Sequence, residues 1–252
     1  MTDTGGKIST LELARLITAV ENSEITVSEA CSRAGKAENS FVIGITGPPG
    51  VGKSTLLNHL IRDFRATNRT VAVIAVDPTS ILSGGALLGD RIRMQTNTGD
   101  RGVFIRSMAT RGHLGGLTGK TTEVLEVLKS AGFEMLIVET VGVGQTEVEV
   151  VRVADAVVAV TSPAHGDEIQ MMKAGIFEIA DVIVLNKSDY KGAENVMRDL
   201  IRCAEGLNRN GWSVPVIRMI AAEQQGITEL RESIDSFLAQ GGGSIGKRSL
   251  KG

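Results

Sequence analysis

Cysteine is nearly missing from this sequence. Cys31 and Cys203 stand far apart, without the spacing of a metal site, so neither a disulfide-stapled scaffold nor a zinc centre is expected. They read as reduced thiols of a protein located in the cytoplasm. Only three histidines occur, His59, His113 and His165, too scattered for a histidine-rich metal store. No apolar run approaches the ~20 residues of a membrane span. The start, Met1-Thr-Asp-Thr-Gly-Gly, lacks the basic and apolar segments of a secretion signal. An excess of one charge is lacking too. With 27 basic and 29 acidic side chains, neither nucleic acid nor an anionic membrane finds an electrostatic footprint. Internal repeats and low-complexity blocks are absent before the C-terminal tail.

What is present is a chain of 252 residues, 42% hydrophobic and 22% charged, enough for one α/β domain with a full core and some decoration. The run Phe41-Val-Ile-Gly-Ile-Thr-Gly-Pro-Pro-Gly-Val-Gly-Lys-Ser-Thr55 organises the rest. An apolar strand ends at Gly47, residues 47–54 fit G-x-x-x-x-G-K-S/T, and Leu56, Leu57, Leu60 and Ile61 follow at helical spacing. Strand, glycine loop and helix in that order are the context a phosphate-binding loop requires. Its glycines let backbone N–H groups converge on phosphate oxygens, and the helix adds its positive end. Lys53 would reach the β- and γ-phosphates, and the Ser54 hydroxyl would coordinate Mg²⁺. A second G-K-T, Gly119-Lys120-Thr121, is a decoy: Leu114 stands where the first glycine should be and no apolar strand precedes it.

Ahead of the loop, Ile8 to Glu21 predicts an amphipathic helix capped by Ser9 or Thr10, and Glu24 to Lys36 a second short one. Beyond it strands are expected near Val71–Val76, Val103–Arg106, Met135–Glu139, Ala156–Thr161, Val182–Asn186 and Val214–Ile217. Helices fall between them, clearest at Leu117–Ala131, Glu168–Ile179, Ala193–Leu207 and Ile227–Leu238. This alternation predicts a three-layer α/β sandwich, a mostly parallel sheet with helices on both faces. The expected organisation is a helical extension over 1–40, a nucleotide-binding domain over 41–239 and a flexible glycine-rich tail over 240–252.

Three strand ends carry further chemistry. Asn186-Lys-Ser-Asp189 follows the apolar run Val182–Leu185 roughly 130 residues after the phosphate loop, at the sheet edge where open α/β folds bind ligands. The Asp189 carboxylate can accept both the N1 proton and the 2-amino group of guanine, whereas adenine offers neither donor and would leave it unpaired. The Lys187 stem can lie over the base, and Asn186 can tie its loop back to the phosphate loop. Asp77, ending Val71–Val76 before Pro78, reads either as a Mg²⁺-side acid or as a turn-starting residue. Glu139, followed by Thr140-Val-Gly142, suits a metal-side acid with a Gly142 amide facing the γ-phosphate. Gly142 is followed by Val143 rather than a water-orienting glutamine, and Gln145 comes too late for that place, so weak intrinsic hydrolysis is expected. Asp90 lies within reach of the metal. His165-Gly-Asp-Glu168 opens the helix bearing Lys173, with Asp167 readable as its N-cap and Lys173 as a solvated cation.

Together Asp77-Pro-Thr-Ser80, Leu88-Gly-Asp-Arg91, Glu139-Thr-Val-Gly-Val-Gly-Gln145, Gly166-Asp-Glu168 and Asn186–Asp189 closely resemble the MeaB/ArgK/methylmalonic-aciduria-type-A GTPases, over roughly residues 11–239. The resemblance implies a P-loop NTPase fold of the SIMIBI type with GTP or GDP and Mg²⁺ as ligands. It implies a chaperone role toward an adenosylcobalamin-dependent acyl-CoA mutase, gating cofactor loading and removal. Gly47, Pro49, Gly50, Val51, Gly52, Lys53, Ser54 and Thr55 would cradle the phosphates. Asn186, Lys187, Asp189, Ala221 and Ala222 would hold the base, and Ser54, Asp77, Asp90 and Glu139 would surround the metal. Lys53, Glu139, Gly142, Gln145, Asp167 and Lys173 would serve hydrolysis, the last two from a switch segment that the mutase repositions. Ile220-Ala-Ala222 stands where the family often has Ser-Ala, leaving a backbone contact to the guanine carbonyl. Members with a long helical C-terminal arm dimerise through it; this sequence stops soon after Leu238, so a homodimer would have to use the nucleotide face. A P-loop small-molecule kinase and a nickel-delivery GTPase are the alternatives. The first leaves Asn186–Asp189 without purpose, and the second needs His/Cys clusters that the sequence lacks.

Overall fold

Seven apolar runs form a single parallel ladder, because each is short, rich in β-branched residues and bounded by turn residues. The computed structural model describes residues 8–36, 39–77, 100–109, 119–140, 150, 152–163, 176–209 and 211–241. The strands are β1 (Phe41–Thr46), β2 (Val71–Asp77), β3 (Val103–Ala109), β4 (Met135–Thr140), β5 (Ala156–Thr161), β6 (Val182–Leu185) and β9 (Val216–Arg218). Their order is β3-β2-β4-β1-β5-β6-β9, parallel at every pairing. Every residue of β4, β5 and β6 is buried, as helices on both faces demand.

One face is covered by α3 (Lys53–Ala66) and α7 (Ile227–Ala239), where Leu56, Leu60, Phe64, Ile234 and Phe237 meet Ile43, Ile45, Val158 and Val184. The alternate strand residues point to the other face. There Val42, Ile74, Leu136 and Val138 pack against α1 (Thr10–Glu21), α2 (Val27–Ala34) and α4 (Gly119–Ser130). Further along the sheet α6 (Ala193–Glu205), following the short turn of helix α5 (Ile176–Ile179), covers Ala159, Ile183 and Leu185.

The two leading helices are thus part of the main core. Leu13, Leu16, Ile17 and Val20 form the buried stripe of α1, and Arg106 of β3 binds the Ala14 carbonyl, the Thr18 hydroxyl and the Glu21 carboxylate. Lys120 of α4 holds the Val20 carbonyl at 3.0 Å. Ser9 is the residue that caps α1, its hydroxyl accepting from the Glu12 amide at 3.2 Å. The second helix starts later than its apolar pattern predicts, at Val27, because Thr26 and Glu29 form a reciprocal capping box.

Strand positions match the expected runs within a few residues. β3 continues to Ala109, and β9 starts after Pro215 rather than at Val214, since proline has no N–H to give the ladder. The antiparallel pair β7 (Asn208–Arg209) and β8 (Trp212–Ser213) is an addition with no signal in the periodicity. Trp212 from this pair lies 5.1 Å from the Phe237 ring and donates its indole N–H to the Asp181 carbonyl. Of the helix expected over Glu168–Ile179 only Ile176–Ile179 is among the described residues, and it is helical.

Candidate nucleotide-binding site

β1 is the central strand, flanked by β4 and β5, so the chain leaving it at Thr46 emerges at the carboxyl edge of the sheet between two covered neighbours. Gly47 turns there with φ of +144°, and a Cβ would lie 2.1 Å from the Val160 carbonyl oxygen. Only glycine lets the loop pass that close to β5. Gly52 repeats the constraint, with φ of +96° and a hypothetical Cβ 2.4 Å from the Asn186 amide nitrogen. Gly52 is also the N-cap of α3, whose first turn, having no capping side chain, leaves its amides pointing out of the loop.

Lys53, the first residue of α3, is 7% exposed, and its ammonium donates to the carbonyls of Gly47 at 2.7 Å and Pro48 at 2.9 Å. The charge is thereby held over the hollow of the loop. Ser54 donates its hydroxyl to Glu139 Oε1 at 3.1 Å. The partners meet because Glu139 lies beside Ile45 in the β1–β4 register, one residue before that strand ends. Two hard oxygens about 3 Å apart match an octahedral edge, which for Mg²⁺–O distances of 2.0–2.1 Å is about 2.9 Å. Glu139 is buried. A cation between these groups would compensate its charge. The donor set therefore fits Mg²⁺, held directly or through water.

The other half of the site is built on β6. Lys187 takes a left-handed φ of 56°, which ends the strand and turns the chain across the sheet edge. Asn186 donates to the Val51 carbonyl at 2.8 Å and accepts from the Ala221 amide at 2.9 Å. A single buried side chain thus joins the phosphate loop to the 3₁₀ turn Ala221–Glu223. The tie expected of Asn186 is present, and the structure adds its second arm. That arm occupies the Ala221 amide, so Ala222, exposed and next in line, is left as the amide available to a base carbonyl. Lys187 donates to the Gly50 carbonyl at 2.7 Å, which lays its stem along the floor between loop and base side. The Asp189 carboxylate is exposed and has no hydrogen-bond partner among the described residues.

A cavity of about 570 Å³ opens along this edge, within the range of small-molecule sites. Gly50, Thr55 and Lys187 line it, as do His59 and Arg62, which sequence reasoning passed over. The signal existed: 55, 59 and 62 are spaced i, i+4 and i+7 and share one helix face. His59 has its imidazole held below the usual histidine range by burial, with a smaller contribution from Arg62.

Asp77 ends β2, which pairs with β4, so its backbone lies at the same edge as Glu139; its side chain is outside the described residues. Asp90, Gly142, Gln145, Asp167 and Lys173 also lie outside them. Among the described residues no cluster of three or more His, Cys, Asp and Glu could hold a metal ion, and no helix is long and apolar enough to cross a membrane.

Comparison with known proteins places this geometry among relatives. The family model described as methylmalonyl-CoA mutase-associated GTPase MeaB matches residues 13–249. A Pyrococcus abyssi protein bearing a GTPase name is 50% identical over 228 residues, 88% of this chain and 70% of its own. GTPase ArgK of Escherichia coli is 39% identical over 204 residues (79% and 62%). The mitochondrial methylmalonic aciduria type A homolog of Mus musculus is 38% identical over 206 residues (80% and 50%). Among solved structures, a LAO/AO transport system kinase superposes with a TM-score of 0.66 at 27% identity, covering 96% of this chain and 81% of that one. HypB from Helicobacter pylori in complex with nickel, at 17% identity and a TM-score of 0.57 (87% and 96% covered), shares the fold.

Proposed function

The chain belongs to the MeaB family of P-loop GTPases, and from that membership and the site geometry we propose that it is a GTP-driven chaperone of an adenosylcobalamin-dependent acyl-CoA mutase. The observation that carries the nucleotide reading is the Asn186 side chain, bonded at once to Val51 and to Ala221. It holds the phosphate cradle and the base-reading loops in one rigid frame, the preorganisation that selective binding of a guanine nucleotide needs.

In this frame Asp189 accepts from guanine N1 and the 2-amino group, and the Ala222 amide donates to the base carbonyl. Lys53 exchanges its two loop carbonyls for β- and γ-phosphate oxygens, where its charge offsets that developing on the departing phosphate. Ser54, with Glu139 and Asp77 at its side, would hold Mg²⁺, which when bound would supply electrostatic stabilisation of the phosphates. From the family resemblance, Asp90 would join the metal side, the Gly142 amide would face the γ-phosphate, and Gln145 would serve hydrolysis only after a rearrangement of its segment. Intrinsic turnover would be slow because Val143, not a glutamine, follows Gly142 in the sequence, and the partner mutase would raise it by moving the segment that carries Asp167 and Lys173.

The chaperone part draws on the family's name and on the methylmalonic aciduria type A relative. Size-exclusion chromatography with an adenosylcobalamin-dependent acyl-CoA mutase tests it. We expect co-elution whose extent differs between GDP and a non-hydrolysable GTP analogue. Separate elution in both nucleotide states would overturn it.

A further inference from the structure

Two helices start where the two halves of the site end. α3 begins at Lys53, directly after the phosphate loop. α7 begins at Ile227, separated from the base-side turn Ala221–Glu223 only by Gln224, Gln225 and Gly226. That turn is closed on itself, because Ile220 and Gln225 exchange both backbone hydrogen bonds at 3.2 Å. Gly226 then enters α7 at a φ of +83°, where a Cβ would lie 2.5 Å from the Arg218 carbonyl oxygen, a path open only to glycine. The base-side turn is thus one piece with α7, and the phosphate loop one piece with α3. Between the helices runs a chain of alternating charge. Asp63 of α3 accepts from Arg231 at 2.6 Å and from the Thr228 hydroxyl at 3.2 Å, and Arg231 continues to Asp235 at 2.9 Å. Asp235 also accepts from both terminal nitrogens of Arg69, just past the end of α3, at 2.6 and 2.8 Å. We propose that Arg231 is a positioning residue for nucleotide binding, fixing the tilt of α7 against α3 and with it the span between base-side turn and phosphate loop. This rests on the guanine-nucleotide reading above and adds to it a part of the frame that the ligand itself does not touch.

One point of attachment does not set the tilt between two rigid pieces. Asn186 joins the loop to the turn near the heads of both helices. From Lys53 to Asp63 α3 rises about 15 Å, at 1.5 Å per residue, so a bond at Asp63 holds the tilt with a long lever. The apolar side chains that the two helices share, among them Phe64, Ile234 and Phe237, attract without direction. Hydrogen bonds from a planar guanidinium to two carboxylates are directional. Arg231 is the hub of the chain, since its side chain is 16% exposed and reaches carboxylates on both helices. Those carboxylates remain partly open to water, so the pairs add modestly to folding free energy. Their effect on geometry does not shrink in the same way, and geometry is what two reading loops on separate helices require.

Calorimetric titration of the full chain with GDP and with pyrophosphate, in the presence of Mg²⁺ and well below the melting temperature, tests this. Pyrophosphate uses the phosphate loop alone, whereas GDP must reach both loops at once. Arg231→Met is expected to weaken GDP about fivefold through lost preorganisation and to leave pyrophosphate unchanged, a split that a general loss of stability does not produce. Asp63→Asn, a milder change, should show the same split to a smaller extent. With both substitutions together the GDP loss should not exceed that of Arg231→Met alone, because the two act through one bridge. Arg231→Lys, which keeps the charge but has no fork for two carboxylates, should recover part of the affinity. GDP affinity undiminished in Arg231→Met, or GDP and pyrophosphate weakened alike, would overturn the positioning role while leaving the guanine reading intact. An unaltered protein that binds GDP no more tightly than pyrophosphate would overturn that reading and this inference with it.

Discussion

Lys53, Asp189 and His59 each do work that their surroundings dictate. Lys53 keeps its ammonium against two backbone carbonyls, 7% exposed, so its charge is prepaid for phosphate. Lys53→Ala should abolish hydrolysis and weaken GTP at least tenfold, read by phosphate release and calorimetry; unchanged turnover would refute its role. Asp189 stands exposed beyond the Asn186 tie, and as an acceptor it fits a base with two donors. Asp189→Asn turns one acceptor oxygen into a donor and should move preference from GTP toward xanthosine triphosphate in competition binding. His59 is held below the ordinary histidine value by burial and by Arg62. Its stabilising contribution is therefore full above the unfolded value, about 6.5, and is lost as pH falls through the lower folded value. Thermal unfolding from pH 7.5 to 5 should show a steeper acid decline in the unaltered protein than in His59→Gln. The phosphate-loop part of the candidate site was legible at this scale, because a G-x-x-x-x-G-K-S string after a strand sets the backbone path and the position of Lys53 together. His59 and Arg62 share a helix face with Thr55 by spacing alone, but only the cavity gives that face a use.

At the scale of elements, the sheet and its crossovers followed from periodicity, since buried parallel strands leave apolar runs that nothing else explains. What periodicity could not give were the details set by single polar contacts. The capping box of Thr26 and Glu29 moved the start of α2, and the two-residue strands β7 and β8 carry too few residues for any period to register. The second bond of Asn186, to the Ala221 amide, is equally invisible in a linear sequence because 35 residues separate the partners. Asn186→Ala leaves the buried Val51 carbonyl and Ala221 amide without it and should cost about 1–3 kcal/mol. It should also loosen nucleotide binding, both read from melting curves with and without GDP. A variant as stable and as tight as the unaltered protein would show that the frame is held elsewhere. A second tie joins the helices under the sheet. Asp235 of α7 accepts from Arg69 at 2.6 and 2.8 Å and from Arg231 at 2.9 Å, while Arg231 reaches Asp63 of α3 at 2.6 Å.

For the whole molecule, the paired parallel strands place the phosphate loop, the Glu139 strand end and the Asn186–Asp189 turn along one edge. The sheet face away from α3 and α7 is thickened by α1 and α2, and Arg106 and Lys120 fasten α1 to β3 and α4. Fold and nucleotide class could be read from the sequence because they are encoded locally. Recognition of a partner is a property of a whole surface, and only the family resemblance spoke to it. If the segment around Lys173 is what the mutase moves, Lys173→Ala should keep intrinsic GTP hydrolysis while losing most of the acceleration by the mutase, in paired turnover assays. The most direct measurement of the account is the GTP turnover of the purified chain with Mg²⁺, before and after addition of an adenosylcobalamin-dependent acyl-CoA mutase. A slow basal rate that rises at least tenfold on addition is the predicted result. A rate that stays the same at saturating mutase would contradict it.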